Sequence, residues 1–254
     1  IRQIRVPSTV LSQADSGVGV KNGVNVRGKK NFAGVFAPPA AVICDLALLD
    51  TLEDRDWLSG VAEAFKVAII KDRAFLDRLI ADSPAIAARD RDAMARLVHR
   101  CAELHLEHIA CSGDPFETGS ARPLDFGHWS AHRMEALTDY ELRHGEAVSI
   151  GMALDCEYAA AIGLIDAGEA ELVIEALAAV GLPVWHRVLD RMEPSGRRSV
   201  LGGLREFREH LGGELCVTLP DGLGHKVEVH EMDEAILETC IDRLRVKLAT
   251  SSPR

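Results

Sequence analysis

The spacing of apolar residues changes once along the chain. Up to about residue 45 they fall in short runs, Ile4-Arg5-Val6 and Ala41-Val42-Ile43, set among Gly, Ser and Asn, which predicts short strands joined by loops. From about Leu52 the apolar positions take a helical period, filled in by Ala, Leu, Glu and Arg. One predicted helix opens at Ser83, an N-cap with Pro84 at the first helical position, and runs to Cys111 ahead of Gly113-Asp114-Pro115. A second helical block runs from His128 through Leu164 to Leu177, before a turn at Gly181-Leu182-Pro183. Leu215 to Leu219 and His225 to Val229 predict a small hairpin across Pro220-Asp221-Gly222. The order predicts the tail of an α/β unit followed by a mostly helical domain.

Composition narrows the partners. Against 39 Asp and Glu stand 29 Lys and Arg, a net charge of −10, which argues against nucleic acid as a main partner because duplex binding needs a concentrated basic face. The longest uncharged apolar stretch, Ala33 to Cys44, is too short to span a bilayer and contains Pro38-Pro39. Six cysteines without a CxxC pair read as reduced thiols, and the expectation is a cytoplasmic protein. The first residue is Ile1 rather than Met, inside a β-like run, and the expectation is a chain lacking an N-terminal piece.

Three segments carry candidate chemistry. Val61 to Ile70 is apolar almost all round and should be buried, yet it holds Glu63 and Lys66 at i, i+3 on one face. Buried charge must be paired or neutralised, so these two form either a plain ion pair or a metal-ligating carboxylate beside a functional ammonium. His128 and His132 stand four apart on one face of a helix starting near Gly127, and His144-Gly145-Glu146 opens a further apolar helix. Taken singly, such histidines are more often structural. Two or three with a carboxylate form the open metal site that catalysis uses. The pattern is not HExxH, because Trp129 stands at the general-base position. The third segment, Gln13 to Asn25 with Gly28-Lys29-Lys30-Asn31, is glycine- and lysine-rich, an anion cradle or a solvated loop without the Walker spacing.

Together these segments resemble the 3-dehydroquinate synthase family, the sugar-phosphate cyclases. The match runs in order through Arg5-Val6-Pro7-Ser8-Thr9, Gly28-Lys29-Lys30-Asn31-Phe32, Ala62-Glu63-Ala64-Phe65-Lys66, Gly127-His128, His132 and His144-Gly145-Glu146-Ala147-Val148. The resemblance implies a multidomain α and β fold. Residues 1–50 would be the end of the NAD-binding α/β domain and 51–254 a helical zinc and substrate domain. The family's glycine-rich NAD motif would then precede Ile1, and the fragment alone would be inactive. By position, Glu63, His128 and His144 look like ligands of zinc or another divalent metal such as cobalt. Lys66, His132 and Asp15 match catalytic positions, at the substrate hydroxyls, the phosphate and the nicotinamide end. Lys21, Lys30, Asn31 and Asp125 match substrate-binding positions, and Ser8, Thr9, Thr51 and Leu52 contacts to NAD. The implied partner is a seven-carbon sugar phosphate, which loses phosphate and closes by an intramolecular aldol step. A homodimer is also implied.

Departures from the family pattern bear on the substrate. The family's Arg-x-x-Leu-Asn-x-Gly-His has Ala121 for its arginine and Asp125 for its asparagine, with Arg122 one place late. The lysine expected on the preceding helix is Glu107. That arginine and lysine bind a substrate carboxylate in 3-dehydroquinate synthases; Ala cannot supply such a bidentate pair, and Glu107 would repel it. The expectation is a substrate without a carboxylate, like sedoheptulose 7-phosphate, with the shikimate-pathway enzyme as the alternative. A metal-dependent alcohol or glycerol dehydrogenase and a non-catalytic helical binding module are further rivals. His99, His105 and His108 read as surface residues of a helix.

Overall fold

The computed structural model describes residues 2–26, 29–111, 125–210 and 213–251, with the backbone alone over most of 21–36. The N-terminal portion contains two small sheets. Strand β1 (Ile4–Arg5) pairs in parallel with β4 (Ala41–Val42), Ile4 opposite Ala41. Between them, β2 (Lys21–Val26) and β3 (Lys29–Phe36) form an antiparallel hairpin with Lys21 opposite Phe36. Ile4, Val6 and Ile43 beside the parallel pair are more than half exposed.

The remainder is helical: α1 (Asp54–Lys71), α2 (Arg73–Ala87), α3 (Arg91–Cys111), α4 (His128–Leu137), α5 (His144–Ala161), α6 (Ala167–Ala179), α7 (Gly202–His210) and α8 (Glu234–Ser251). A hairpin of β5 (Val217–Pro220) and β6 (Lys226–Val229) precedes α8, with Val217 opposite Val229 and Pro220 opposite Lys226, as its sequence pattern predicts. Helices α1 and α5 are apolar around most of their circumference and therefore lie inside, α5 against α1, α4, α6 and α8. They approach closely because small residues meet at the crossings. A Cβ on Gly145 would lie 2.0 Å from the Ser59 carbonyl oxygen, and one on Gly151 would lie 2.0 Å from that of Gly127.

The structure corrects two expectations. The segment read as glycine-rich loop is a π-helical turn at Ser12–Ser16 followed by the β2–β3 hairpin. Its glycines and asparagines obscure the β-branched Val24 and Val26 and the apolar Phe32, Val35 and Phe36, which supply the strand propensity. Pro84 does not start a helix. It lies in the last turn of α2, where a missing N–H disrupts little helix, while buried Leu79 and Ile86 anchor that turn. The break comes at Arg89, whose φ is +62°. Its guanidinium donates to the Leu52 and Leu49 carbonyls at 2.8 and 3.3 Å and stacks 4.9 Å over the Trp57 ring. Asp90 then accepts from the Ala93 amide at 2.8 Å and opens α3. The helical block from His128 to Leu177 comprises α4, α5 and α6, divided by the left-handed pair Asp139 and Tyr140 and by the capping box of Asp166 and Glu169.

Close helix crossing makes a paired prediction. Gly145→Ala should lower the urea midpoint by an amount equivalent to about 1–3 kcal/mol, the usual cost of overpacking. Gly168→Ala, an exposed position in α6 with nothing within 4 Å of the added carbon, should leave stability unchanged or raise it by about 0.4–1 kcal/mol.

Candidate metal centre

Three helices supply the site. Glu63 and Lys66 lie on one face of α1, His128 and His132 one turn apart at the start of α4, and His144 at the first position of α5. Glu63 and Lys66 are each 2% exposed and form an ion pair. The second carboxylate at Lys66 is Asp15, with Oδ2 3.6 Å from Nζ. Burial acts to lower the Lys66 ammonium's pKa, but Glu63 and Asp15 outweigh it and hold the group above the usual lysine range. Burial likewise pushes Glu63 upward, and Lys66, with His144 and His128, brings it well below the usual carboxylate range.

Oε1 of Glu63 is buried, accepts no hydrogen bond, and lies 3.4 Å from Nε2 of His144 and 3.8 Å from Nε2 of His128. Tetrahedral coordination with bonds of about 2.0–2.2 Å places adjacent donors about 3.3–3.6 Å apart, close to these separations. One oxygen and two imidazole nitrogens thus form a donor set that fits zinc or a similar divalent ion. Each imidazole is oriented from behind. Nδ1 of His128 donates to the Phe126 carbonyl at 2.9 Å, which leaves the Nε2 lone pair toward Glu63. Nδ1 of His144 faces Oε2 of buried Glu135 at 3.3 Å.

The charges are set for an incoming cation. Burial, then the Lys66 ammonium, pushes His128 down to about 4, so its imidazole is neutral at pH 7. The crowding of His132 by protein, then by His128 and His144, pushes it down to about 4 as well, although its outer edge meets solvent. For His144, burial favours the neutral ring, but Glu135 and Glu63 outweigh it and raise the imidazole to about 9. The Nε2 proton of a protonated His144 lies on the side of Glu63, where a divalent ion would bind, and metal binding displaces such a proton.

The α4 start is held by α5. Asp155 is fully buried and accepts from the Gly127 amide at 2.9 Å and from Nε1 of Trp129 at 2.8 Å; burial pushes its carboxyl up to about 7, against those two donors. Gly127 has φ +77° and lies against the α5 backbone, a conformation and a clearance that only glycine meets without strain. The residues flanking His128 are thereby fixed to α5, the helix that begins with His144.

The other expected residues fall in different places. Asp125 adds negative charge at Lys66 and His132, and its carbonyl accepts from the His128 amide. Thr9 bonds to Ser12, Thr51 to the Leu48 carbonyl, Ser8 is exposed, and Leu52 is half-buried with its carbonyl accepting from Arg89; no described contact joins these four to the triad. The side chains of Lys21, Lys30 and Asn31, and all of Ala121 and Arg122, lie outside the described residues. Glu107 is 58% exposed and 3.7 Å from Arg100, not beside the triad. His105, read as a surface residue, is 9% exposed and 2.9 Å from Asp15 Oδ1, because it continues the buried stripe Leu97, Cys101, Leu104 of α3. Glu135 was also missed. Its signal is the spacing His132-x-x-Glu135, one turn along the same helix face.

Comparison with known proteins gives the family. Residues 60–197 match the family model for the 3-dehydroquinate synthase C-terminal region, and residues 1–59 match the N-terminal one. The 3-dehydroquinate synthase of Streptomyces coelicolor is 41% identical over 237 residues, which cover 93% of this chain and 63% of that protein. The chain thus spans less than two thirds of the length of this curated relative. ValA, a 2-epi-5-epi-valiolone synthase from Streptomyces hygroscopicus solved with NAD+ and Zn2+, superposes with a TM-score of 0.85 at 30% identity, covering 97% of this chain and 67% of that one. A 2-deoxy-scyllo-inosose synthase solved with carbaglucose-6-phosphate, NAD+ and Co2+ shares the fold at a TM-score of 0.72 and 19% identity, over 95% of this chain and 67% of that one. This chain belongs to the 3-dehydroquinate synthase family.

The Asp155 clamp is testable. Asp155→Asn keeps the shape but offers one acceptor to two donors, so it should destabilise the fold by about 1–3 kcal/mol, read as a lower urea midpoint. An unchanged midpoint would show that α4 is held by other contacts.

Proposed function

We propose that this chain carries the metal centre and substrate-facing residues of an NAD-dependent sugar-phosphate cyclase, which eliminates phosphate and closes a ring by an intramolecular aldol step. The observation that carries this reading is the Glu63, His128 and His144 donor set beside a buried, doubly paired Lys66. A divalent ion held there, zinc or cobalt, would polarise a substrate oxygen, and NAD would take a hydride and return it. Ser8, Thr9, Thr51 and Leu52 are the proposed NAD contacts, with residues 1–50 as the end of the α/β domain and 51–254 as the helical one. Lys66 is held charged and would donate to substrate hydroxyls. His132, neutral and at the solvent edge of the cluster, would accept a proton as phosphate leaves. Asp15 would act at the nicotinamide end, and Lys21, Lys30, Asn31 and Asp125 would bind the substrate. The family's homodimer and a cytoplasmic location belong to the same reading. Among the described residues no helix is long and apolar enough to cross a membrane.

For the substrate, Ala121 in place of an arginine favours a neutral ketose phosphate such as sedoheptulose 7-phosphate. Glu107, exposed beside Arg100, lends this less weight than its sequence position implies. The identity with a curated 3-dehydroquinate synthase favours the carboxylated heptulosonate phosphate as a second reading. Phosphate release decides between them, measured with NAD and zinc on the longest form of the protein its gene encodes. Release from the neutral sugar, with the preference moved toward the carboxylated one by Ala121→Arg with Glu107→Lys, supports the first reading. Release from the carboxylated sugar alone makes the second correct. NADH accumulating from a simple polyol would replace both with a dehydrogenase.

The metal centre has its own prediction. The chain should bind one tight equivalent of zinc, and Glu63→Gln, His128→Ala and His144→Ala should each abolish it. Tight binding that survives all three would remove the basis of the proposal.

A further inference from the structure

His144 belongs to two donor sets. On one side of its ring lies the inner set with Glu63 and His128. On the other, Nδ1 faces Glu135, and a nitrogen of His132 completes a second group whose donor atoms all lie within 4.8 Å of one another. The His132 and His144 rings stack with centroids 6.0 Å apart. The two sets differ in access. Glu63 and His128 are buried, whereas the outer set grades from buried Glu135 through half-buried His144 to exposed His132. His132 and Glu135 are three residues apart on one helix, a spacing that brings an imidazole and a carboxylate to the same ion.

We propose that this outer set is a second divalent-cation position, weaker than the inner one, whose occupation removes His132 from use. The site itself rests only on the donor geometry; the loss of activity on filling it rests on the function proposed above. With an ion already on Nε2 of His144, the proton on Nδ1 must leave to solvent before that nitrogen can bind another. The second ion is therefore held at first by His132, Glu135 and solvent oxygens, and binds less tightly. In the singly loaded protein Glu135 has the other role, accepting from Nδ1 and orienting the ring toward the inner ion. Excess zinc then acts as an inhibitor built from the same histidine that completes the inner site.

The test is zinc binding by the 254-residue chain, followed by calorimetric titration and by metal analysis after gel filtration. Two equivalents are expected, the second at least tenfold weaker. His132→Gln, an exposed position, and the isosteric Glu135→Gln should each remove the weaker equivalent and keep one. Glu63→Gln should remove the tight equivalent and keep the weaker, so loss of the inner site and loss of the outer one are read separately. A single equivalent at a hundredfold excess of zinc would overturn the proposal. So would a weak equivalent that survives His132→Gln, since that ion lies elsewhere, or a Glu135→Gln protein altered only in its tight equivalent, since Glu135 then does no more than orient His144.

Discussion

The buried pair of Glu63 and Lys66 is the constraint on which the site depends. Two full charges, 2% exposed each, sit in the segment Val61 to Ile70 of α1, which is otherwise apolar, and breaking such a pair from one side costs about 3–5 kcal/mol. A core built only for stability would place apolar residues there. Both groups face something further: Asp15 on the side of Lys66, and the nitrogens of His128 and His144 on the side of Glu63. The Glu63 carboxylate thus meets an ammonium on one side and two imidazole nitrogens on the other, that of His128 neutral and that of His144 carrying a displaceable proton.

The array is held together by short-range packing. Helix α5 begins with His144 and, eleven residues later, offers Asp155 to the amide of Gly127 and the indole of Trp129. The same helix thus presents one ligand and fixes the approach to another. Helix α1 carries the third, and it meets α5 where Gly145 crosses the backbone of Ser59. Ligands from three helices are therefore positioned through contacts that admit no extra methyl group, which is how a site distributed over 82 positions of sequence, Glu63 to His144, is kept within a few ångströms.

The legible part of this arrangement was the part with a period. An apolar segment with a charged pair at i, i+3, and histidines at i, i+4 and at the head of a second apolar helix, pointed to α1, α4 and α5 and to Glu63, Lys66, His128, His132 and His144 as candidates, while the choice of Glu63, His128 and His144 as ligands came from the family resemblance. The hairpin before α8 was also readable, because two short apolar-rich runs flank Pro220-Asp221-Gly222, of which Pro220 ends β5. What could not be read depended on contacts between distant segments. The break at Arg89 follows from carbonyls of Leu49 and Leu52 and the Trp57 ring; Pro84, the obvious local signal, is five residues too early. His105 looks like a surface residue until α3 is laid against the turn holding Asp15. Glu107, the more suggestive residue by alignment, turns toward Arg100 instead.

A divalent ion held by one carboxylate oxygen and two imidazoles has a distinct X-ray absorption signature in the zinc-loaded chain. The first shell should hold oxygen and nitrogen only, at about 2.0–2.1 Å, with outer-shell scattering from two imidazoles. Sulfur at about 2.3 Å would assign the ion to cysteines, and fewer than two imidazoles in the shell would rule out Glu63, His128 and His144 as its ligands.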